Sequence, residues 1–364
     1  MGKQKRGLEA AREPWKDKPP KRKLSKKRKA VNITVVIFSI LFLLVGGGCM
    51  YADGMLGLID FQTDDEEWQA PSNVETGEMV SQIYTSINMG EGSSGLYHDD
   101  AVMNILLLGV DDYQANDVGR SDSQILVTID TRHQKIKLTS FMRDMYVNIP
   151  GYGANRINTA YTYGGPKLTV QTLESLFGVD IDRYVCVNVA QFRDIINTLG
   201  GVTIELTQAE ADLINENSGE SYERWVSEGT QRLTGKQAWY YARIRAIGND
   251  QARTERQRKV IESVVDNLKS KDLFTLNSIL AQVLGQMSTN MSRNEVLALV
   301  ANAMTYLNYP IESTRLPVDG TYNGSGDWVY IGGLSQNVII PDLQANSEHL
   351  VEFLYEDDIP EKIR

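Results

Sequence analysis

Residues 104–161 decide the fold, and they read NILLLGVDDYQANDVGRSDSQILVTIDTRHQKIKLTSFMRDMYVNIPGYGANRINTAY. Three short apolar runs in this stretch are rich in isoleucine, leucine and valine, and charged or turn residues bound each of them. The runs are Ile105–Val110, Gln124–Ile129 and Ile136–Phe141. Runs of this length and composition are typical of β-strands. The stretch therefore predicts three consecutive strands.

Acidic residues and arginines stand at the ends of these predicted strands. They are Asp111 and Asp112, then Arg120 and Asp122, then Arg143 and Asp144. If the first two strands are neighbours, the carboxylates of Asp111 and Asp122 face one point. Two such hard oxygen ligands suit Mg²⁺ or Mn²⁺ bound together with a phosphate. The alternative interpretation is that both aspartates only cap turns, and that Arg143 and Asp144 form a surface ion pair.

A second group of cations lies further along the chain, in YYARIR at 240–245 and DQARTERQ at 250–257. The predicted helix that follows has an apolar face, which consists of Val260, Ile261, Val264, Val265 and Leu268. Extending this face toward the N terminus at about 100° per residue reaches Gln257 and Arg253, with Arg256 on its flank. A buried arginine needs an anionic partner.

The arginines of this region favour an anionic ligand as that partner. Four of them are gathered in an otherwise acidic part of the chain: Arg243, Arg245, Arg253 and Arg256. Planar guanidinium groups donate paired hydrogen bonds to phosphate oxygens, and several of them suit a pyrophosphate. The alternative is structural ion pairing with Asp250 and Glu255, but these carboxylates can neutralise only two of the four arginines.

Composition argues against several classes of site. The two cysteines, Cys49 and Cys186, provide neither a disulfide framework nor zinc-binding spacing. The three histidines are scattered at His98, His133 and His349. This scatter argues against a His-based nucleophilic triad and against a His-rich metal site.

Charge is distributed unevenly along the 364 residues. Residues 1–29 contain 13 Lys and Arg against 3 acidic residues, which leaves 24 basic and 44 acidic residues in the remainder. We predict that this basic tail is disordered and cytoplasmic, because an excess of Lys and Arg keeps one flank of a membrane anchor inside. A nucleic-acid-binding arm is the alternative for the tail.

The uncharged segment Val31–Met50, VNITVVIFSILFLLVGGGCM, is long enough to cross a bilayer as one helix. The alternative is a lipoprotein signal that is cleaved before a lipidated Cys49. We expect a basic tail, a membrane helix and an extracellular spacer, in that order, at residues 1–29, 30–51 and 52–100.

Helical and strand patterns alternate in the remainder. Helices are predicted near residues 77–87, 167–176, 190–199, 234–243, 252–269, 273–287, 293–307 and 347–354. Further strands are predicted near residues 182–189, 202–206, 311–316 and 338–340. Ser292 and Glu295 have capping-box spacing, Gly178 is predicted to close the 167–176 helix and Asn346 to cap the last helix. The alternation predicts an α/β fold with a central sheet covered on both faces.

Eight ordered motifs resemble those of the LytR–CpsA–Psr family of Gram-positive cell-envelope proteins. They are NILLLGVD at 104–111, RSDS at 120–123, SFMRD at 140–144, RINTAY at 156–161, LGGV at 199–202, LTGKQAWYYARIR at 233–245, DQARTERQ at 250–257 and IIPDLQAN at 339–346. The resemblance implies a three-layer α-β-α fold with a central mixed sheet. It also implies a catalytic core at 101–270, with C-terminal helices and strands at 271–364 packed on it.

The resemblance implies an extracellular, membrane-anchored phosphotransferase. Such an enzyme moves a glycopolymer from an undecaprenyl-pyrophosphate carrier to peptidoglycan through a phosphodiester. Asp111 and Asp122 would hold Mg²⁺, and the catalytic group would comprise Asp122, Arg143 and Asp144, with either Asp122 or Asp144 taking the acceptor's proton. The pyrophosphate would be held by Arg120, Arg143, Arg156, Arg243, Arg245, Arg253, Arg256 and Gln257. Positioning and charge neutralisation then carry phosphoryl transfer.

Two positions depart from the family pattern. Tyr113 stands where the family often has an arginine, which removes one expected pyrophosphate contact, and Arg156 stands where lysine is common, which keeps the charge. The polyprenyl chain is expected in an apolar groove between sheet and helices. Candidate groove residues, for most of which core packing is the alternative role, are Val187, Val189, Phe192, Ile195 and Ile196.

Three other functions compete with transfer. A polyprenyl-pyrophosphate hydrolase would use water as the acceptor. A transcriptional attenuator is disfavoured, because the cytoplasmic part is a short tail without a helix-turn-helix and the acidic ectodomain cannot meet DNA, so no nucleic-acid partner is expected. A non-catalytic wall-binding module is disfavoured by the acids that accompany the arginines. The sequence leaves the polymer and the oligomeric state open.

Overall fold

The computed structural model describes residues 60–61, 95–111, 119–248, 250–271, 275, 279, 282–283, 287–323 and 327–363. The chain divides into two compact units, residues 1–54 and 55–364, and every described residue lies in the second. The predicted tail, the predicted membrane helix, the helix near 77–87, most of the helix near 273–287 and Tyr113 lie outside the described residues. No helix in the described ranges is long and apolar enough to cross a membrane.

Strands and helices alternate through the described ranges. The strands are β1 (Asp60–Phe61), β2 (Leu96–Tyr97), β3 (Val102–Val110), β4 (Ser121–Asp130), β5 (Lys135–Phe141), β6 (Tyr146–Ile149), β7 (Gly153–Arg156), β8 (Arg183–Asn188), β9 (Val202–Leu206), β10 (Gly229–Leu233), β11 (Ser288–Thr289), β12 (Ile311–Leu316), β13 (Asp327–Ile331), β14 (Leu334–Val338) and β15 (Lys362–Ile363). The α-helices are α1 (Thr159–Phe177), α2 (Val189–Thr198), α3 (Gln208–Asn217), α4 (Gly235–Tyr241), α5 (Asp250–Lys269), α6 (Arg293–Tyr306) and α7 (Leu343–Tyr355). A 3₁₀ turn spans Tyr222–Arg224.

Seven strands form one mixed sheet in the order β1–β11–β8–β3–β4–β5–β12. At its centre, β3, β4 and β5 are antiparallel neighbours, and they correspond to the three apolar runs of the opening stretch. β8 lies parallel to β3, and β12 lies parallel to β5. The predicted mixed α/β class is therefore confirmed. The antiparallel order also brings the end of β3, the start of β4 and the end of β5 to the same edge.

Helices cover both faces of this sheet. Leu106 of β3 lies in a buried core with residues of α1 and α7. Its neighbour Ile105 faces the other way and packs in a cluster with Val296 of α6, while Ile125 of β4 shares a cluster with Ile261 of α5. Because side chains alternate along a strand, the same strands contribute to two cores, and the molecule has three layers.

Helix α1 begins earlier than predicted and is kinked. Inside it, Gly164 (φ −151°) and Gly165 (φ +62°) leave the helical region of backbone space, and Pro166 follows. Proline is tolerated at the first position of a helical segment, because its missing N–H has no partner there in any case. The helix predicted near residues 167–176 corresponds to the segment after Pro166. The helical residues before Gly164 were not predicted.

Helix α7 also begins earlier than predicted. Its N-cap is Asp342, whose carboxylate accepts a hydrogen bond from the backbone N–H of Ala345 at 3.0 Å. The predicted cap, Asn346, is wholly buried instead. Its side-chain amide donates to the Thr321 hydroxyl at 2.8 Å, and its Oδ1 accepts from the Val318 N–H at 2.9 Å. Asn346 therefore ties the first turn of α7 to the loop after β12.

Two other predicted helix ends are confirmed. Ser292 and Glu295 form a capping box at the start of α6. Gly178 closes α1 in the left-handed conformation, with φ of +69°.

Several short elements were not predicted, among them the β6–β7 and β13–β14 hairpins, β10 and α3. The strand predicted near 338–340 lies earlier, as β14, where it pairs with β13. The β6 and β7 strands, YVNI and GANR, lack the alternation of apolar and polar residues by which a strand is recognised. The β6–β7 hairpin matters most for function, because Arg156 is its last residue.

Candidate active site

The ends of β3, β4 and β5 meet at one edge of the central sheet, and a β-bulge lies between β3 and β4 there. Val110 pairs with Ser121 and Gly109 pairs with Ser123, so Asp122 is the extra residue of the bulge. Bulges interrupt pairing and redirect a side chain, and they are frequent beside active sites. The expected adjacency of the first two predicted strands is thus confirmed, and the register singles out Asp122.

Gly119 allows the chain to pass close to Asp111 before β4 begins. Its φ is +72°, and a Cβ there would lie 2.5 Å from the backbone oxygen of Asp111. The Asp111 N–H donates to the Arg120 carbonyl at 3.1 Å, and the Thr162 hydroxyl donates to the Gly119 carbonyl at 2.8 Å. These bonds hold the end of β3, the start of β4 and the first segment of α1 together, and only glycine fits the approach.

Four side chains form what we term the ion-pair chain: Asp122, Arg143, Asp144 and Arg156. Arg143 donates through Nη1 to Asp122 Oδ1 at 2.7 Å, and its Nε lies 3.5 Å from Asp144 Oδ2. Arg156 donates through Nη1 to Asp144 Oδ1 at 3.2 Å. All four side chains are between 11% and 27% exposed, so they are largely shielded and still reachable from solvent.

Positive charge accumulates around this chain. Burial lowers the pKa of Arg156; Asp144 opposes that shift, and the like charges of Arg120 and Arg143 lower the pKa further. Arg120 itself is exposed. Arg120 and Arg143 therefore lie close enough to Arg156 to repel it, and a bound anion would relieve that repulsion.

Arg243 joins the later part of the chain to the strand ends. It follows α4, and its Nη2 lies 3.3 Å from Asp111 Oδ2. Its guanidinium also lies 4.7 Å from the ring centroid of Trp239, a cation–π distance that holds the group in place. Two groups of residues that are far apart in the sequence thus meet at Asp111.

The first turns of α5 lie beside the bulge. The Ser123 hydroxyl donates to Gln257 Oε1 at 3.2 Å, which places Gln257 next to the residue that follows Asp122. Arg253, one turn earlier on the same side of the helix, is 3% exposed. Extrapolation of the apolar face of α5 therefore found the side of the helix that is buried.

Comparison with known proteins identifies the family of this chain. A family model described as the LytR_cpsA_psr family matches residues 66–340. The chain belongs to the LytR–CpsA–Psr family. The polyisoprenyl-teichoic acid–peptidoglycan teichoic acid transferase TagU of Oceanobacillus iheyensis is 32% identical over 307 residues, which cover 81% of this chain and 87% of that protein. TagT of Bacillus subtilis, which carries the same transferase name, is 28% identical over 282 residues, which cover 75% and 82%.

Solved structures of the LytR–CpsA–Psr family share the fold. A structure of TagT with bound octaprenyl pyrophosphate lipid has a TM-score of 0.53 and 26% identity, and the match covers 74% of this chain and 98% of that one. The similarity extends over nearly the whole solved chain, so the three-layer core is common to both.

The environment of Arg256 differs from those of the site arginines described above. Its Nε donates to Glu210 Oε1 at 2.8 Å, and its two terminal nitrogens donate to the carbonyls of Ile244 and Ile247, each at 3.1 Å. Burial raises the pKa of Glu210, but the hydrogen bonds from Arg256 and Thr207 outweigh burial and lower it. A ligand contact from Arg256 would require these bonds to break, so this geometry does not support its predicted place in the pyrophosphate cradle.

The predicted structural alternative named Glu255 as a partner of these arginines, and the structure pairs Glu255 with a different arginine. The carboxylate on Arg256 belongs to Glu210 of α3, whereas Glu255 pairs with Arg258. Arg245, the remaining predicted cradle residue, is exposed beyond α4. Its role stays a prediction.

Asn158 was overlooked as a site residue, although it lies within the RINTAY motif. Its Nδ2 lies 3.5 Å from Asp122 Oδ1, and the side chain is 1% exposed. Its Oδ1 is buried and accepts no hydrogen bond from the part of the chain that the structure describes. A buried amide oxygen without a donor is costly unless a ligand or cation completes it.

The carboxylates fit a small divalent ion that is shared with a phosphate. Asp111 and Asp122 lie at the ends of adjacent strands, and the Asn158 amide lies beside Asp122. Mg²⁺ typically binds one or two protein carboxylates together with substrate phosphate and water. In the described ranges, groups of three acidic or histidine side chains close enough to share an ion lie elsewhere: His98, Asp180 and Asp182, and Asp130, His133 and Glu356.

Some of the residues predicted to line the lipid groove lie in a hydrophobic core, and others lie on the partly exposed surface. Ile196 is 1% exposed and lies in the core that α2, α4 and α5 share, with Phe192 packed against it. Val187, Val189 and Ile195 are half-buried. For Ile196 and Phe192, the alternative role in core packing is therefore confirmed.

The two faces of the central sheet differ in packing near the site. On the α1 and α7 face, Leu106 and Leu108 are at most 1% exposed. On the α5 and α6 face, Leu107, Val185 and Val187 are only half-buried. Apolar side chains thus remain accessible on the face that leads away from Asp111.

Proposed function

We propose that this chain transfers an anionic glycopolymer of the teichoic acid class from a polyprenyl-pyrophosphate carrier to peptidoglycan, through a phosphodiester bond. The observation that carries the proposal is the set of guanidinium groups around strand-end carboxylates, with Arg143 and Arg156 on the ion-pair chain and Arg243 on Asp111. The transferase names of the related TagU and TagT proteins support it.

The arginines are positioned before the donor binds. Arg143 is held at both ends, by Asp122 and Asp144, and Arg156 is held by Asp144. Groups that are already oriented lose little freedom when a pyrophosphate arrives, and they stabilise charge that develops on the transferred phosphoryl group. We propose that Arg120, Arg143, Arg156, Arg243, Arg253 and Gln257 form the pyrophosphate site.

We propose Asp111 and Asp122 as the Mg²⁺ ligands, with the Asn158 amide oxygen beside them. When bound, Mg²⁺ supplies positive charge at the phosphate oxygens. In this structure Asp122 pairs with Arg143, and Asp111 pairs with Arg243. The same aspartates therefore orient these arginines and balance their charge.

Asp122 is the better placed of the two candidate bases. Both oxygens of Asp144 lie against guanidinium groups, Oδ2 against Arg143 and Oδ1 against Arg156. Among the described residues, the contacts of Asp122 with Arg143 and Asn158 both use Oδ1, which leaves Oδ2 for the acceptor hydroxyl. The acceptor oxygen then bonds to the sugar-side phosphorus, its proton passes to Asp122, and the bridging P–O bond breaks to release polyprenyl phosphate.

The carrier's hydrocarbon chain requires an apolar surface next to the phosphates. We propose the half-buried face of β3 and β8 that α6 covers in part, which includes Leu107, Val185 and Val187. The octaprenyl pyrophosphate bound to the similar TagT structure supports a lipid site in this fold. We further propose that Val31–Met50 anchors the chain in the membrane with the described unit outside, where lipid-linked donor and peptidoglycan meet.

The decisive experiment uses the full chain in detergent with a polyprenyl-pyrophosphate oligosaccharide, peptidoglycan strands and Mg²⁺. The expected product is an oligosaccharide joined to peptidoglycan by a phosphodiester, detected by mass spectrometry, with one polyprenyl phosphate released per bond. Formation stops when EDTA removes the metal and resumes when Mg²⁺ is restored. Release of sugar phosphate alone, at the same rate with and without peptidoglycan, would instead identify a hydrolase.

A further inference from the structure

A cavity lies between α2, α4 and the 3₁₀ turn, outside the residues assigned to catalysis. Its volume is about 470 Å³, which is within the range of small-molecule sites. It is lined by Ala190, Arg193, Asp194, Asn197, Glu220, Arg224, Thr234 and Lys236. These residues come from three elements that are separate in the sequence, so the cavity exists only in the folded chain.

The cavity is joined to the active site by helix α4. Lys236 lies in the cavity wall at the start of α4, and Trp239, one turn later, contacts the guanidinium of Arg243. Arg243 reaches Asp111 at 3.3 Å. At 1.5 Å per residue, Lys236 lies about 8 Å along α4 from Tyr241, the last helical residue, and Arg243 follows two residues later. A saccharide chain that occupies the cavity can therefore extend to the reacting phosphate.

Helix α2, which forms another wall of the cavity, begins at the edge of the sheet where Asp111 lies. Helix α2 follows directly after Asn188, which pairs with Val110, the residue before Asp111. Ala190, in the first turn of α2, lines the cavity, and Arg193 and Asp194 line it one turn further on. Both walls thus run outward from the catalytic edge.

The charges in the cavity are mixed rather than uniformly basic. Arg193, Arg224 and Lys236 are cations, whereas Asp194 and Glu220 are anions. Glu220 accepts a hydrogen bond from the Thr234 hydroxyl at 2.8 Å, so its place in the wall is ordered. Glu220 also pairs with Arg224, whose Nη1 lies 3.8 Å from Glu220 Oε2, so a polymer whose only charges are phosphates would meet repulsion chiefly from Asp194. A ligand with carboxylate and ammonium groups would find partners for both.

Exposed aromatic residues flank Arg224 in the chain. Tyr222 is 76% exposed and Trp225 is 49% exposed, and their ring centroids lie 4.9 Å apart. Large apolar side chains grouped on a surface mark interaction sites, and an aromatic ring offers a flat apolar face with a polar edge. Such faces suit the C–H surfaces of sugar rings.

We propose that this cavity is the subsite for the acceptor, a peptidoglycan strand that still carries its peptide. The peptide's carboxylates lie against Arg193, Arg224 and Lys236, its ammonium group lies against Asp194 and Glu220, and the sugar chain runs along α4 to Asp122. The proposal rests on the proposed transfer to peptidoglycan, and it adds that the peptide is recognised as well as the sugar.

The test measures binding by the full chain in detergent, using calorimetry with three probes: a disaccharide–pentapeptide fragment of peptidoglycan, the same disaccharide without its peptide, and a glycerol phosphate oligomer. The double substitution Lys236→Gln and Arg224→Gln is expected to weaken binding of the peptide-bearing fragment about tenfold or more, because two charged hydrogen bonds are lost. Binding of the peptide-free disaccharide should be weak in both proteins. Lys259→Gln, an exposed cation on α5, is the matched control.

Kinetics give a second readout, in which the double variant raises KM for peptidoglycan while KM for the lipid donor stays within about twofold. The proposal is overturned if the peptide-bearing fragment binds both proteins equally, or if the variant loses affinity for the glycerol phosphate oligomer instead, which would make the cavity a donor site. A wild-type chain that binds the fragment but forms no phosphodiester would contradict the proposed transfer and leave the subsite standing.

Discussion

Arg143 is the residue on which the ion-pair chain depends, since it contacts both Asp122 and Asp144, whereas Arg156 contacts only Asp144 among the described residues of that chain. We expect Arg143→Ala to lower kcat/KM for transfer by about 100- to 1,000-fold, because one preorganised donor to the developing phosphoryl charge is lost. The measurement is the initial rate of phosphodiester formation with Mg²⁺ saturating.

Arg132→Ala is the control for Arg143→Ala. Arg132 also pairs with an aspartate, Asp99, but it lies after β4 at the opposite end of the sheet. Its substitution should leave the rate within about twofold of wild type. Equal losses in the two variants would show that stability, rather than the site, explains the effect.

Arg256 is predicted to act in the fold rather than on the ligand. Arg256→Ala leaves the buried carboxylate of Glu210 without its cation, and we expect the free energy of unfolding to fall by about 3–5 kcal/mol. Denaturant unfolding measures this, with Lys259→Ala, an exposed cation of the same helix, as the control. If the variant has wild-type stability but binds the lipid donor less tightly, Arg256 is instead a residue of the pyrophosphate site.

At the scale of elements, the close approach of Gly119 to Asp111 fixes the distance between the start of β4 and the end of β3. We expect Gly119→Ala to lower the transfer rate about tenfold or more and to destabilise the fold by about 1–2 kcal/mol, because the new Cβ meets the backbone oxygen of Asp111. Gly151→Ala is a matched control: its φ is +79°, and nothing lies within 4 Å of the new Cβ. Because only the left-handed backbone is unfavourable there, it should show a smaller loss of stability and a normal rate.

If Gly119→Ala and Gly151→Ala lower the transfer rate equally, backbone strain alone explains both, and the close approach to Asp111 has no role in catalysis.

The C-terminal part of α1 carries a carboxyl group that makes stability depend on pH. Burial raises the pKa of Glu174 from 4.5 to about 7, and the nearby Asp180 and Asp182 add to this while a hydrogen bond from Ile181 opposes it. Between these two pH values the folded chain binds a proton that the unfolded chain has lost. The free energy of unfolding should therefore fall as pH rises from about 4.5 to 7, by about 1–2 kcal/mol after allowance for solvent screening.

Glu174→Gln should remove this contribution and raise the midpoint of thermal unfolding at pH 8 but not at pH 5. The glutamine oxygen can still accept from the Ile181 N–H. Glu348→Gln, an exposed acid on α7, serves as the control. A pH dependence that is unchanged by Glu174→Gln would locate the titrating group elsewhere.

At the scale of the whole molecule, the strongly basic tail and the uncharged segment after it predict confinement to the membrane that holds the lipid donor. Replacing Val31–Met50 with a cleavable export signal should release the protein from cells and reduce polymer attachment to the wall by about tenfold or more, because the effective concentration of donor falls. Fractionation and wall phosphate content measure these outcomes. A released protein that attaches polymer at the normal level would show that anchoring is dispensable.

The sequence by itself determined the class of the fold and most of the residues that meet at its catalytic edge. The runs beginning at Ile105, Gln124 and Ile136 are local patterns of burial, and local burial is what periodicity reports. The apolar face of α5 pointed to Arg253 and Gln257 for the same reason. Ordered motifs then indicated the family, and with it the chemistry.

Only the tertiary structure decided which side chains become partners. The bulge at Asp122 depends on register between two strands, and the link from Asp144 to Arg156 depends on a hairpin whose strands do not alternate apolar and polar residues. Arg256 and Glu210 are 46 residues apart, so no local pattern could pair them. A helical face shows that a residue is buried, but the identity of its neighbours follows from how distant elements pack. That packing also creates the cavity beside α4, which no stretch of sequence contains.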